Sequence, residues 1–206
     1  MKPIIDLVSA YPQLHALVPE LERACARLNA VFDAGGKLLL CGNGGSASDC
    51  EHMAGELLKG FEHRRCLPEK QRVGLPSAVA EKLQWGFPAI PLPSITGYGS
   101  AWCNDVDPEL VFAQLVNVLG TSADALACFS TSGNSKNVVR AAEVARARGL
   151  FVLAFTGERG GALASVAQVS LRVPAANTAQ AQELQLPLYH CLCRVLENTR
   201  AKALGQ

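Results

Sequence analysis

The sequence predicts an α/β fold, a mostly parallel sheet with helices packed on both faces. Two observations carry this. Strand-length apolar runs alternate with segments of helical periodicity. Glycine-rich turns join them, and no domain-sized linker interrupts the series. With 206 residues and 49% apolar content, a single domain over residues 1–206 has ample material for a core.

The elements follow in order. Residues 11–34 read as a helix, with Leu14, Leu17, Leu21, Leu28 and Val31 at helical steps and Cys25 filling the gap. Gly35-Gly36 stops it. Residues 1–34 have no strand of their own, so this apolar stripe is expected to serve subunit contacts in a homotetramer, or failing that a dimer. Residues 37–41 are a short buried strand. Gly42-Asn43-Gly44-Gly45 turns the chain, and Ser46 opens a helix that bears Asp49, His52 and Glu56 and ends near Gly60. Residues 62–88 are broken by charges, Gly74, Pro68 and Pro76, and read as a peripheral excursion with one short helix near 77–84. A second strand is expected at 87–92, a glycine-rich loop at 93–102 and a helix at 108–119. The pattern then repeats: strand 123–129, turn 130–134, helix 135–148, strand 150–155, the Thr156-Gly157 turn, a short helix after Gly160-Gly161, and strand 168–173. A long helix over 178–202 closes the chain, with a kink expected at Pro187.

Composition excludes several classes. The formal net charge of +1 shows no basic excess, so no direct nucleic-acid partner is expected. The Arg64-Arg65 pair, like Arg146 and Arg148, reads as solvated surface. The longest apolar runs are strand-sized, which argues against a membrane span. The first residues lack the apolar core of a secretion signal. The expectation is a soluble cytoplasmic protein whose 8 cysteines, with no CxxC pair, are reduced thiols.

Two loops carry the functional signal. Gly42-Asn43-Gly44-Gly45-Ser46 and Ser130-Thr131-Ser132-Gly133-Asn134-Ser135 each follow a buried strand and begin a helix. In a parallel sheet both lie at the carboxyl edge, where ligands bind. Glycines admit an oxyanion close to the backbone, helix starts supply unpaired N–H groups, and hydroxyls add donors. The simpler reading makes Ser46 and Ser135 helix caps, but the second loop has more hydroxyls than a cap needs. A dinucleotide loop is matched only in part, and no Gly-Lys-Ser/Thr occurs, so no nucleotide cofactor is expected.

These residues carry a resemblance. Cys41-Gly-Asn-Gly-Gly-Ser-Ala-Ser-Asp49, then His52 and Glu56, Ser130-Thr-Ser-Gly-Asn-Ser-Lys-Asn137, Thr156-Gly157, Gln182-Glu183 and His190 together resemble the sugar isomerase (SIS) domain family, in its phosphoheptose isomerase group. The resemblance runs over nearly the whole chain. It implies a three-layer sandwich with a flavodoxin-like sheet, a homotetramer, and active sites at subunit interfaces. It also implies conversion of sedoheptulose 7-phosphate to D-glycero-D-manno-heptose 7-phosphate. Ser46, Ser130, Thr131, Ser132 and Ser135, with the Gly44-Gly45 backbone, would then cradle the phosphate, and Asn43 would contact the sugar. Relatives that bind without catalysis leave open a silent sugar-phosphate-binding or partner-binding protein, or an isomerase for another sugar phosphate.

His52 and Glu56 are four apart on one helical face, and Gln182 and His190 eight apart on the tail helix. Once the resemblance sets these helices against one site, the group has two readings. An aldose–ketose isomerase needs a base for the C–H proton and a second group for the oxygens. Glu56 is assigned as base and His190 as acid/base partner, since an imidazole can serve both ways near neutrality. Gln182 then belongs to the substrate site. The same four side chains, His52, Glu56, Gln182 and His190, also offer two nitrogens and two oxygens to a tetrahedral zinc ion.

Overall fold

Side chains along a strand alternate between the two faces of a sheet, and here both sets are apolar. Leu38 and Leu40 of β1 (Leu38–Cys41) enter one core, Leu39 and Cys41 the other. β3 (Ala125–Phe129) and β4 (Phe151–Gly157) split the same way. A strand buried on both sides must sit inside a sandwich with helices above and below. The computed structural model, which describes residues 2–205, has that architecture. With β2 (Ala89–Pro91) and β5 (Val169–Val173), the five strands are all parallel in the order β2-β1-β3-β4-β5. This is the flavodoxin-like order.

The first core is covered by α1 (Lys2–Ala10), α2 (Val18–Asp33), α3 (Gly45–Leu58) and α10 (Thr178–Ala203). Two single turns, α4 (Glu69–Arg72) and α5 (Ser77–Ala80), lie in the connection from α3 to β2. The second core is covered by α7 (Val111–Leu119), α8 (Lys136–Ala147) and α9 (Gly161–Val166), with α6 (Thr96–Asp105) packed beside them. None of the described helices is long and apolar enough to cross a membrane.

The structure departs from the sequence reading in five places. The helix expected over 11–34 is two pieces, a 3-10 segment at Pro12–Leu17 and α2, and a separate helix, α1, precedes them. Pro12 and Pro19 each sit at the start of a helix, where a missing N–H costs nothing, so each begins a new segment. The Leu14, Leu21 and Leu28 stripe is fully buried in the chain's own core and is not a free face. The exposed large apolar side chains are instead Ile5, Leu58, Val73, Val79 and Leu83 among others. The glycine-rich stretch expected as a loop holds α6. Its glycines cost about 1 kcal/mol each in helix propensity, and tertiary contacts outweigh them. Tyr98 and Trp102 pair at 5.7 Å. The Tyr98 hydroxyl donates to the Val111 carbonyl (3.0 Å) and Trp102 Nε1 to that of Asp107 (2.9 Å). The strand expected at 87–92 is three residues long. α10 runs unbroken through Pro187.

The fifth departure is Arg65. It is 1% exposed, and the excursion that carries it also brings Trp85 and Phe87 into the core. Arg65 Nε donates to Glu197 Oε1 (2.7 Å), Nη1 to the Leu57 carbonyl (2.7 Å) and Nη2 to the Glu56 carbonyl (3.0 Å). Glu197 also accepts the amides of Phe61 (2.9 Å) and Glu62 (3.0 Å). The guanidinium therefore caps the last carbonyls of α3 while its partner anchors the following loop to α10. Burial alone would raise the Glu197 carboxyl, but the two amides and Arg65 outweigh it and hold the group below its ordinary value. A carboxyl depressed in the folded state contributes stability that is complete above its unfolded pKa, about 4.3, and is lost as pH falls through its folded value. Glu197→Gln should therefore lower stability at pH 7 by about 3–5 kcal/mol, the cost of breaking a buried pair. The gap from wild type should narrow below about pH 4. Urea midpoints across pH measure both, and equal midpoints at pH 7 would show that the pair contributes nothing.

Candidate active site

β1 and β3 are neighbours, yet α3 leaves β1 for one face and α8 leaves β3 for the other. The chain diverges there and opens a crevice at the carboxyl edge, the switch point where such sheets bind ligands. Both serine-rich loops flank it. They are tied across it by reciprocal amide bonds. Asn43 Nδ2 donates to Asn137 Oδ1 and Asn137 Nδ2 to Asn43 Oδ1, both at 2.9 Å. Asn137 Oδ1 also accepts the Val138 amide at 3.0 Å.

The two loops are not equivalent. In the first, the amides of Ser46, Ala47 and Ser48 are bonded back to the carbonyls of Asn43 and Gly44, and Ser46 is 5% exposed. Gly44 takes a left-handed φ of 55°, which turns the chain into α3. Gly45 lies under the Gln182 amide, and a Cβ placed there would have to displace that amide. In the second loop Ser130 is buried and its hydroxyl lies 3.0 Å from that of Ser135. Ser132 is exposed and accepts the Asn134 amide at 3.1 Å. Asn134 Oδ1 in turn accepts the amide of Ala162, joining this loop to α9. A cleft of about 450 Å³ opens beside it. Its lining takes in Thr131, Ser132 and Asn134, Glu158 and Arg159 after β4, and Asn177 and Thr178 at the start of α10. Hydroxyls, a helix N-terminus and an arginine together suit an oxyanion.

Three of the four polar side chains expected on α3 and α10 come together. His52 Nε2 is 3.4 Å from Glu56 Oε1 and 3.3 Å from His190 Nε2. Glu56 is 15% exposed at its side chain and also faces Lys59 Nζ at 3.3 Å. Burial, reinforced by the neighbouring His52, draws the His190 imidazole below its ordinary pKa, so it is neutral near pH 7. Gln182 stands apart from this group. Its amide packs on Gly45, and it makes no hydrogen bond to His52 or His190 among the described residues.

Two side chains without an assigned role complete the group. The Tyr189 hydroxyl lies 3.0 Å from His52 Nδ1 and 3.4 Å from Asp49 Oδ1. Burial and then Asp49 raise the Tyr189 phenol well above its ordinary pKa, so it stays protonated. Burial also raises the Asp49 carboxyl, against the opposing pull of Tyr189 and His52. The signal for Tyr189 is its place seven residues after Gln182 on one helical face, a polar tip in an apolar run.

A zinc ion with Zn–N bonds of about 2.0–2.1 Å sets its ligand atoms about 3.3 Å apart at the tetrahedral angle. The His52–His190 and His52–Glu56 separations fit that spacing. Yet among the described residues no three His, Cys, Asp or Glu side chains converge on one metal position. The pairwise distances fit, while the set is not closed as placed, with Gln182 apart on Gly45 and Lys59 facing the other Glu56 oxygen.

Comparison with known proteins gives the same architecture a family. A phosphoheptose isomerase of Thiobacillus denitrificans is 38% identical over 186 residues, covering 89% of this chain and 85% of its own. The chain belongs to the phosphoheptose isomerase family. The SIS domain family model matches residues 88–157, from just before β2 to the end of β4. The structure of phosphoheptose isomerase from Neisseria gonorrhoeae superposes with a TM-score of 0.76 at 30% identity, covering 95% of each chain. That from Francisella tularensis gives 0.75 at 30% identity, covering 96% of this chain and 92% of the other.

The second loop yields a direct test. Replacing Ser132 and Ser135 together with Ala should weaken binding of a sugar phosphate by about 2–4 kcal/mol, allowing for incomplete loss of charge-assisted bonds. Calorimetric titration reads this, and an unchanged Kd would place the phosphate elsewhere.

Proposed function

We propose that this chain is a sugar-phosphate aldose–ketose isomerase, and that its substrate is sedoheptulose 7-phosphate, converted to D-glycero-D-manno-heptose 7-phosphate. One observation carries the reading. A carboxylate and two imidazoles form a chain, Glu56 3.4 Å from His52 and His52 3.3 Å from His190, on helices that start beside the two serine-rich loops. This is the equipment of an enediol mechanism. The loops take the phosphate and fix the sugar. Glu56 removes the proton from C1 and returns it to C2. His190 donates a proton to the C2 oxygen and later accepts one from O1, so the proton count balances. A neutral imidazole near pH 7 is suited to both steps.

A second reading is favoured by the facing imidazole nitrogens. His52, Glu56 and His190, with Gln182 if its amide leaves Gly45, would hold Zn²⁺. The ion would supply charge stabilisation for the enediolate oxygen.

Glu56→Gln separates these. It keeps volume but cannot accept the carbon-bound proton, so turnover should fall by about 10²–10⁴. Affinity should change far less, since the loops are untouched. Bound metal, measured on the same sample, should stay unchanged if Glu56 acts as base alone. Full activity would exclude Glu56 as base. A panel of five-, six- and seven-carbon sugar phosphates, followed by NMR, names the substrate. Binding without turnover on any of them would instead support a silent binding protein.

We also propose a homotetramer in which neighbouring subunits complete the sites. The exposed Leu58, Val73, Val79 and Leu83 supply apolar surface for such contacts. Light scattering at micromolar concentration should report about four chain masses, and a value of 21.8 kDa would overturn this.

A further inference from the structure

Four basic side chains from three distant parts of the chain gather at the end of α10 away from the serine-rich loops. Lys2 opens α1, His63 and Arg64 lie in the loop after α3, and Lys202 is in the last turn of α10. They line one cavity of about 430 Å³, and Pro3, Trp85 and Ala201 give it an apolar wall. Among the described residues that line it, Glu197 is the one carboxylate, and it is already engaged. It accepts from Arg65 Nε at 2.7 Å and from the amides of Phe61 and Glu62 at 2.9 and 3.0 Å. The Arg65–Glu197 pair cancels its own charge. Lys2, Arg64 and Lys202 are left uncompensated, with His63 beside them. None of these four forms a salt bridge among the described residues. Arg64 Nη2 donates to the Glu81 carbonyl, a neutral acceptor that fixes the guanidinium without discharging it.

Structural duty accounts for one of these cations. Lys202 suits the negative end of the α10 dipole. Lys2 does not, because it stands in the first turn of α1, where a cation is disfavoured, and no acidic residue balances it there. Like charges brought together also repel. The fold nonetheless pins the loop that presents them. Gln84 Oε1 accepts the amides of Gly60 (2.9 Å) and Arg65 (3.4 Å), and the Trp85 amide donates to the Arg65 carbonyl (3.0 Å). The Trp85 ring lies over the Arg65 guanidinium, 4.8 Å from its centroid. The wall is therefore formed before any ligand arrives, and little ordering cost remains to be met on binding.

We propose that this cavity is a second binding site, for a compact phosphate compound carrying two or more negative charges. Lysine and arginine are ordinary partners for phosphate oxygens, and three cations around one space exceed what a monoanion would answer. Diphosphate is the simplest ligand with this chemistry. The site stands whether or not the chain is an isomerase, since it shares no side chain with the serine loops or with the His52–His190 group.

Titration calorimetry with inorganic diphosphate at fixed ionic strength tests this. Ser132→Ala/Ser135→Ala protein is the background, so that the serine loop does not answer for the cavity. The expected result is one diphosphate per chain, bound more tightly than orthophosphate. Adding Lys2→Gln and Lys202→Gln, both exposed positions, should weaken binding by about 10-fold, the scale of two exposed ion pairs. Arg64→Gln should weaken it further. Arg146→Gln with Arg148→Gln removes the same charge from the end of α8, across the sheet, and should leave Kd unchanged. Absence of diphosphate binding, or an unchanged Kd in Lys2→Gln/Lys202→Gln, overturns the proposal. An equal loss from the α8 pair does so too, because it would report net charge and not a site. Equal affinity for orthophosphate would remove the case for a multiply charged ligand. If diphosphate binds as expected in a protein that turns over no sugar phosphate, the isomerase reading fails and this site stands.

Discussion

Everything in this molecule depends on one topological constraint, the pairing of β1 with β3 while their helices leave for opposite faces. A parallel strand pair needs a long crossover, and here the two crossovers diverge and cannot fill the space above their shared edge. The loops after these strands are left facing each other. The Asn43–Asn137 amide pair closes that gap with two matched hydrogen bonds and needs no charge. Beneath it Cys41 and Cys128 lie side by side with sulfurs 3.7 Å apart. Burial raises the Cys128 thiol well above its ordinary value, so this floor is apolar and inert.

The second organising contact is the seam between α3 and α10. One end is the Gly45–Gln182 approach, the middle is the Asp49–Tyr189–His52–His190 chain, and the far end is the Arg65–Glu197 clamp on the last α3 carbonyls. Polar groups at this depth cost free energy unless bonded. The seam meets that cost in its middle chain and at the clamp, and among the described residues it leaves Asp49 Oδ2 and both amide atoms of Gln185 without partners. The clamp holds the backbone of the same residue, Glu56, whose side chain faces His52. Stability of the helix end and placement of the carboxylate are thus tied to one guanidinium.

Much of this was legible in the sequence, and what was not has physical causes. Continuous strand-length apolar runs and the Gly-rich turns located the sheet, and the four-residue spacing of His52 and Glu56 put them on one face. Residues 96–105 were not legible as a helix, because their local propensity argues against one and the compensating Tyr98 and Trp102 bonds reach across to α7 and its preceding turn. Arg65 looked solvated because its charge is answered by Glu197, 132 positions away. The N-terminal stripe was correctly apolar, but periodicity states that a face is covered and not by what. Asn137 stood in a motif and Tyr189 on the face of Gln182 without an assigned role; the folded arrangement gives each its partner.

α10 touches nearly every part of the machinery. Asn177 and Thr178 edge the cleft, Gln182 sits on the first loop, Tyr189 and His190 enter the polar chain, and Glu197 anchors the clamp. These stations are strung along 26 residues, about 39 Å at 1.5 Å each. A helix advances about 100° per residue, so adding or deleting one amino acid midway would swing every later station off its face while leaving the earlier ones in place. A point change along α10 alters one station, whereas a single-codon insertion between Gln182 and Tyr189 would turn Asn177, Thr178 and Gln182 relative to His190 and Glu197 in one step. The helix works as a measuring rod, and the gene's tolerance for length changes should vanish where the rod is read at both ends.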